Sequence, residues 1–223
     1  MSEKQQEPMG RRERKRLARH ARFLAIAMEI VEEGGIDALT MPRLADAADV
    51  AVGGLYRYFS SKENLIVDLQ VLAARTFVEF LDRRLNARAF HPLARLVNIS
   101  ESWQAFATEA PQQFALLDGS MSSHRPLLKA EYAMTVENAL APVFEACMTS
   151  FDECTALGHF FEGDRRLRAE VLWAAVHGVG HFQKRDRFLP DQYHANAIRQ
   201  ELINALFMGW GASKEVLQLA RSQ

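Results

Sequence analysis

Along most of the chain, apolar positions recur every three to four residues, the period of a helix with one buried face. Phe23, Leu24, Ala27, Ile30 and Val31 set this rhythm for a first helix over about 11–33, which Gly34-Gly35 stops. Thr40 is placed to cap a second, short helix with Pro42 in its first turn, where a missing N–H costs little. Met41, Leu44, Ala45 and Ala48 form its apolar stripe. A tight connection, Asp49-Val50-Ala51, leads to a third short helix that turns Leu55 and Phe59 inward. Ser60-Ser61-Lys62-Glu63 reads as a capping box, with Ser60 as cap and Glu63 three residues on, opening a long helix to about 85. Further helices are predicted at about 92–108, 111–118, 127–155, 164–184, 191–209 and 213–221. Proline falls mostly between these segments, and no Val/Ile/Thr-rich alternating run of strand length appears. The expected fold class is all-α: a three-helix helix-turn-helix unit followed by a larger helical bundle.

Composition narrows the class. The 223 residues are 48% hydrophobic and 25% charged, the balance of a globular protein. No run approaches the ~18 apolar residues of a membrane span, and the polar start MSEKQQEPMG has no signal-peptide core. A cytoplasmic location without a membrane partner is therefore expected. Cys147 and Cys154 alone make neither a disulfide framework nor a tetrahedral zinc site.

Charge changes the picture more. The net charge is −1, yet residues 1–22 hold eight basic side chains (Lys4, Arg11, Arg12, Arg14, Lys15, Arg16, Arg19, Arg22) against Glu3, Glu7 and Glu13. That segment is net +5, which leaves −6 for the remainder. A basic end followed by an acidic body keeps a phosphate-binding charge local. The division expected from pattern and charge is a disordered polar tail over 1–10, a helix-turn-helix domain over 11–62 and a ligand-binding and dimerisation domain over 63–223.

Two short helices joined by a tight turn, the second with a polar outer face, have the geometry of a helix-turn-helix. Val52, Gly53, Gly54, Tyr56, Arg57 and Tyr58 form the face expected to meet a major groove. Tyrosine hydroxyls suit phosphate contacts, which position without specifying, and Arg57 can pair with a guanine edge or bind a phosphate. Lys62, at the start of the fourth helix, is unfavourable for the helix dipole unless a phosphate sits beside it. The Arg11–Arg22 cluster is expected to reach phosphate or the minor groove, and Glu63 to act as a cap.

The stretch Gly53-Gly54-Leu55-Tyr56-Arg57-Tyr58-Phe59-Ser60-Ser61-Lys62-Glu63-Asn64-Leu65, with Phe23-Leu24, Gly34-Gly35-Ile36-Asp37-Ala38-Leu39-Thr40, Leu44-Ala45 and Val50 before it, closely resembles the DNA-binding domain of the TetR (tetracycline-repressor-like) family over about 14–69. The resemblance implies a homodimer on a palindromic double-stranded operator, and repression relieved by a small-molecule effector bound in an all-helical C-terminal domain. It also implies backbone contacts from Thr40, Arg43, Tyr56, Tyr58 and Lys62, and base-facing positions at Val52, Gly54 and Arg57. Asp49 stands where the family usually has a turn glycine, a position that Asp tolerates better than most residues. Val52 and Gly54 replace the longer polar side chains common there, so readout should lean on Arg57, thymine methyls and DNA shape.

Twelve of the fourteen Phe and all three Trp lie beyond residue 62. Phe77, Trp103, Phe106, Trp173 and His177 are the expected effector-binding residues, in a pocket that by resemblance lies within the C-terminal bundle. An apolar or aromatic effector is expected and no cofactor. Trp173-Ala174-Ala175-Val176-His177-Gly178 resembles the Trp-x-x-x-His-Gly signature of one subgroup of the family. His177 and His181, one turn apart, suit a metal, but no acidic or cysteine ligand is arranged beside them, so no metal is expected. No nucleophile–base pairing or glycine-rich phosphate loop supports an enzyme. Val171, Ala175, Val179 and Phe182, with Ile198, Leu202, Ala205, Leu206 and Met208, are the expected dimer seam.

Overall fold

A computed structural model of the chain describes residues 10–86, 91–122 and 129–222. Among them there are ten α-helices and no strand: α1 (Arg11–Ala38), α2 (Met41–Ala48), α3 (Val52–Leu55), α4 (Lys62–Asn86), α5 (Pro92–Glu109), α6 (Pro111–Ser122), α7 (Ala130–Ala156), α8 (Arg165–Gly180), α9 (Ala195–Gly209) and α10 (Lys214–Arg221). The tail expected to be disordered lies outside the described residues except for Gly10. So do the first two residues of the helix expected from 127.

The chain divides into two compact units. One holds the described residues up to Ala73 together with Ala115–Val136; the other holds Ala74–Phe114 and the described residues from Glu137 onwards. In the first unit, Phe23 and Ala27 of α1, Leu44 of α2, Leu55 of α3, Leu65 of α4, and Phe59 in the turn between α3 and α4 are fully enclosed. Phe23 meets the Tyr58 ring edge-on at 5.1 Å, and the His20 ring lies 4.9 Å from Phe59. His20 Nε2 also pairs with Asp68 Oδ2 on α4 at 2.9 Å. Gln70, buried on α4, donates from Nε2 to the carbonyl of Leu116 at 3.0 Å. The glycine stop predicted at the end of α1 appears as a break: Gly35 has φ 74°, which removes it from helical geometry although the helix resumes to Ala38.

Three local expectations are corrected. The third helix is only Val52–Leu55; Tyr56, Arg57 and Tyr58 follow in turns, with Tyr58 and Phe59 both donating to the Leu55 carbonyl. With two glycines in four residues, the segment has little helix propensity of its own. The cap of α4 is Ser61, not Ser60: Ser61 Oγ accepts from the Asn64 N–H at 3.1 Å. Glu63 is drawn instead to the Lys129 N–H, 3.4 Å away, while Ser60 bonds Asn64 Oδ1. Finally, α8 ends at Gly180 rather than 184, and 191–193 is a 3-10 turn before α9 begins at Ala195. Phe182 bonds back three residues to Val179, tightening the chain into turns where Gly178 and Gly180 weaken the helix.

In the second unit, α8 packs on α5 and α9, and α10 packs on α5. Its interior is aromatic. Phe151, Phe160, Phe207 and Trp210 form one cluster, with ring centroids 5.3–6.1 Å apart. Arg168 lies against it, its guanidinium 5.6 Å from the Trp210 ring, and donates to the carbonyls of Phe161 and Glu162. Those bonds satisfy a nearly buried cation that would otherwise be costly.

Candidate nucleic-acid interface and effector pocket

The reading face follows from how α2 and α3 are held. Leu44, Ala45 and Ala48 anchor α2 inward, and Leu55 anchors α3. Thr40 caps α2 by accepting from the Arg43 N–H at 3.2 Å, which fixes where α2 begins. Asp49 ends α2 in the left-handed region, φ 55° and ψ 53°, and is the single non-glycine residue with positive φ among those described. This turn orients α3, and the remaining side chains face solvent: Arg43, Gly53 and Arg57 are exposed, Tyr56 is 51% exposed, and Val52, Gly54, Tyr58 and Lys62 are half-buried. Tyr58 rests its ring on Phe23, which leaves its hydroxyl end as the available part.

Two details show what this surface can do. A Cβ on Gly53 would meet nothing within 4 Å, and one on Gly54 would only touch Val50 at 4.0 Å. Neither has positive φ. Nothing in the chain's own packing therefore requires glycine there, and without a Cβ the surface is open to close approach by another molecule. Arg43 Nη2 is held by Glu33 Oε2 at 3.0 Å, an exposed pair worth little in water, so a phosphate can take the arginine over.

The five expected effector residues lie together in the second unit. Phe77, Trp103 and Phe106 are fully enclosed. Trp103 sits 5.2 Å from Phe77 edge-on and 4.9 Å from Trp173, and His177 lies 4.5 Å from Trp103 and 5.1 Å from Trp173. A small cavity of about 20 Å³ opens beside them, lined from α5, α7 and α8. Of the five, Trp103 and Trp173 line it; Phe77 and His177 pack against those two rings, and Phe106 packs against Phe77. Ile99, Ser100, Val143, Phe144, Cys147, Ala169, Leu172 and Val176 complete the wall, none of them among the expected effector residues. The spacing Val143, Phe144, Cys147 on α7 is the helical i, i+1, i+4 signal of a shared face, but only the crossing of three helices shows what that face encloses. Burial pushes the Cys147 thiol up to about 12, so it is a neutral wall group. Among the described residues no group of three or more His, Cys, Asp or Glu is placed to hold a metal.

Residues 23–69 match the model of the family described as bacterial regulatory proteins, tetR family. This segment resembles the DNA-binding domain of that family. A 104-residue stretch is 36% identical to the HTH-type transcriptional repressor KstR of Rhodococcus jostii (strain RHA1), spanning 47% of this chain and 46% of that repressor. The chain thus matches less than half the length of this curated relative. The fold as a whole resembles the transcriptional regulator FadR of Bacillus subtilis in complex with stearoyl-CoA, with TM-score 0.61 and 19% identity over 85% of this chain and 98% of that one. It also resembles AibR in complex with isovaleryl coenzyme A and operator DNA, with TM-score 0.58 and 18% identity over 85% and 98%. An N-terminal helix-turn-helix followed by a helical C-terminal domain is the architecture of the TetR fold, and no described helix is long and apolar enough to cross a membrane.

Proposed function

We propose that the chain is a one-component transcriptional regulator: a homodimer that represses from a palindromic operator and is released by a small apolar or aromatic effector. The observation that carries the reading is the exposed, sterically open Gly53-Gly54-Tyr56-Arg57 face on a closed three-helix head whose segment is of TetR type. Thr40, Arg43, Tyr56, Tyr58 and Lys62 take phosphates, and Val52, Gly54 and Arg57 face bases. The glycine pair brings the head close to the duplex, and Arg57 is the side chain with the reach and donors for a guanine edge.

Dimerisation is supported by apolar side chains left partly open on α8, on the turn that follows it and on α9. Val171, Phe182 and Met208 are exposed, and Ile198, Leu202 and Leu206 are half-buried, at helical spacing. A second copy offering the same stripes would bury them as a four-helix seam. Effector binding supports release because α4 and α7 each contribute turns to both units, so a shift in either helix reaches the head through continuous backbone. The Trp173–Gly178 segment supports placing the chain in the Trp-x-x-x-His-Gly subgroup. A DNA-bound regulator of this kind works in the cytoplasm and is not an enzyme.

Fluorescence polarisation on the palindrome nearest the chain's own gene, or on sites selected from random DNA, tests the reading. The expected result is sequence-selective binding whose log affinity falls linearly with log salt, at about −0.9 per phosphate contact. Absence of selective, salt-sensitive binding to either DNA overturns it.

A further inference from the structure

Trp103 borders the cavity of the second unit and carries a polar group that the packing does not use. This side chain is 1% exposed, and its indole N–H finds no acceptor among the described residues. A buried donor left unpaired costs about 1–3 kcal/mol relative to a paired one. Among the described residues no other cavity group bonds it: Ser100 donates its hydroxyl to the Val97 carbonyl at 2.6 Å, and Cys147 is a neutral thiol. The rest of the wall is Ile99, Val143, Phe144, Ala169, Leu172, Trp173 and Val176, with no ionisable side chain besides Cys147. A carboxylate or an ammonium group would enter without an opposite charge among the lining residues, at a cost of several kcal/mol.

Resting on the regulator reading, we infer that the part of the effector buried here is an uncharged, flat apolar group carrying a carbonyl oxygen that accepts from Trp103 Nε1. The ring geometry favours a flat group: Trp103, Trp173 and Phe144 stand 4.9 and 5.6 Å apart in sequence around the cavity, so a planar guest meets ring faces and edges. About 20 Å³ is room for one water-sized probe and no more, so entry requires a wall to give. That wall is α8. Trp173 on α8 is half-buried, whereas the other nine lining residues are buried, so the Trp173 side yields at least cost. Arg166 covers the outside of the wall, its guanidinium 4.4 Å from the Phe144 ring and paired with Glu170. Effector binding thus satisfies Trp103 and displaces the helix that also carries part of the proposed dimer seam.

Three probes of one shape separate the possibilities: acetophenone, α-methylstyrene (the same skeleton without the acceptor) and benzoate (the anion). They are titrated into the 223-residue chain with its tryptophan indole N–H groups labelled by nitrogen-15, the Trp103 signal being assigned by elimination with Trp173→Phe and Trp210→Phe. Acetophenone is expected to shift the Trp103 indole proton downfield and to bind about fivefold more tightly than α-methylstyrene, the factor of one net hydrogen bond. Benzoate is expected to bind at least about tenfold more weakly than acetophenone. In Trp103→Phe the ketone-to-alkene ratio falls to about one; if that variant does not fold, the wild-type ratio and the indole shift decide. Equal binding of ketone and alkene, a ratio that survives in Trp103→Phe, tightest binding of benzoate, or no acetophenone binding at about 10 mM overturns the inference. Operator binding, measured in parallel without probe, tells this failure from failure of the regulator reading.

Discussion

In the N-terminal head, the residues proposed to act stand next to the core but outside it: Leu55 is fully enclosed, and Tyr56, its neighbour, is half exposed. In the C-terminal unit the relation is reversed. Trp103 is fully enclosed and is itself the wall of the proposed site. A partner as large as a duplex has to be met by a convex surface, which a small helix-turn-helix supplies by keeping its apolar residues behind it. A small guest has to be surrounded, so the residues that bind it are the same ones that stabilise the bundle. Substitutions in the head should therefore separate folding from binding, and substitutions in the body should mix them.

The largest effect should come where the head has no such separation. Leu55→Ala removes a fully buried side chain that fixes α3, at a cost of about 2–5 kcal/mol. Operator binding is expected to be lost. All three tryptophans lie in the second unit, so their fluorescence reports its unfolding alone. Urea unfolding followed by circular dichroism should show an early transition that tryptophan fluorescence does not. Coincident transitions would mean that the two units unfold as one and would break the comparison.

On the reading face itself, binding should change while stability does not. Arg57→Ala is expected to cost about 1–3 kcal/mol of operator affinity and to relax preference at one base position. Lys62→Ala should weaken all DNAs alike and reduce the salt slope by about 1. Thermal melts of both variants should match the parent. A fall in melting temperature, or a base-specific loss from Lys62→Ala, would reverse the roles given to these residues.

Smaller effects come from two backbone positions with opposite demands. Gly53 has a helical backbone and open space around it, so Gly53→Ala should stabilise the head by up to about 1 kcal/mol while weakening DNA binding. Asp49 holds φ 55°, so Asp49→Gly should stabilise by about 0.5–1 kcal/mol and leave DNA binding intact. Chemical denaturation and polarisation on the same samples check both. Unchanged operator affinity in Gly53→Ala would remove close approach as the reason for the glycine.

The head was legible in the sequence because its signals are local. Leu44, Ala45 and Ala48, then Leu55 and Phe59, are spaced at helical intervals, and Gly34-Gly35 and Thr40 mark ends that need no distant partner. Where a distant partner enters, local reading failed. Ser60-x-x-Glu63 and Ser61-x-x-Asn64 are both plausible caps, and Ser61 is used while Glu63 bonds the Lys129 N–H, 66 residues away. The body shows the same limit. Its aromatic richness was countable, but whether Phe106 or Phe144 faces the cavity depends on how three helices cross, which periodicity within each helix does not contain.

The smallest expected effect concerns the body and is a matter of pH. His91 caps α5 by accepting from the Leu93 N–H at its Nδ1, 3.2 Å away, so its neutral ring carries its proton on Nε2. That proton points to Nε2 of His159 at 3.1 Å, which must then be the acceptor. Adding a proton to either ring breaks one of these bonds: at His91 Nδ1 it removes the cap, and at His159 Nε2 it sets two N–H groups against each other. Burial, and secondarily the neighbouring His159, hold His91 below its ordinary value of 6.5. In the unfolded chain His91 takes up its proton near that ordinary value, while the folded chain resists, so the stabilisation is complete above about pH 6.5 and declines as pH falls below it. The melting temperature should therefore drop between about pH 7.5 and 5.5, and His91→Asn, which keeps a capping side chain but does not titrate, should flatten the curve. The same slope in both proteins would mean that the histidine pair is an ordinary surface contact, and that the body, like the head, carries its sensitive groups outside its packing.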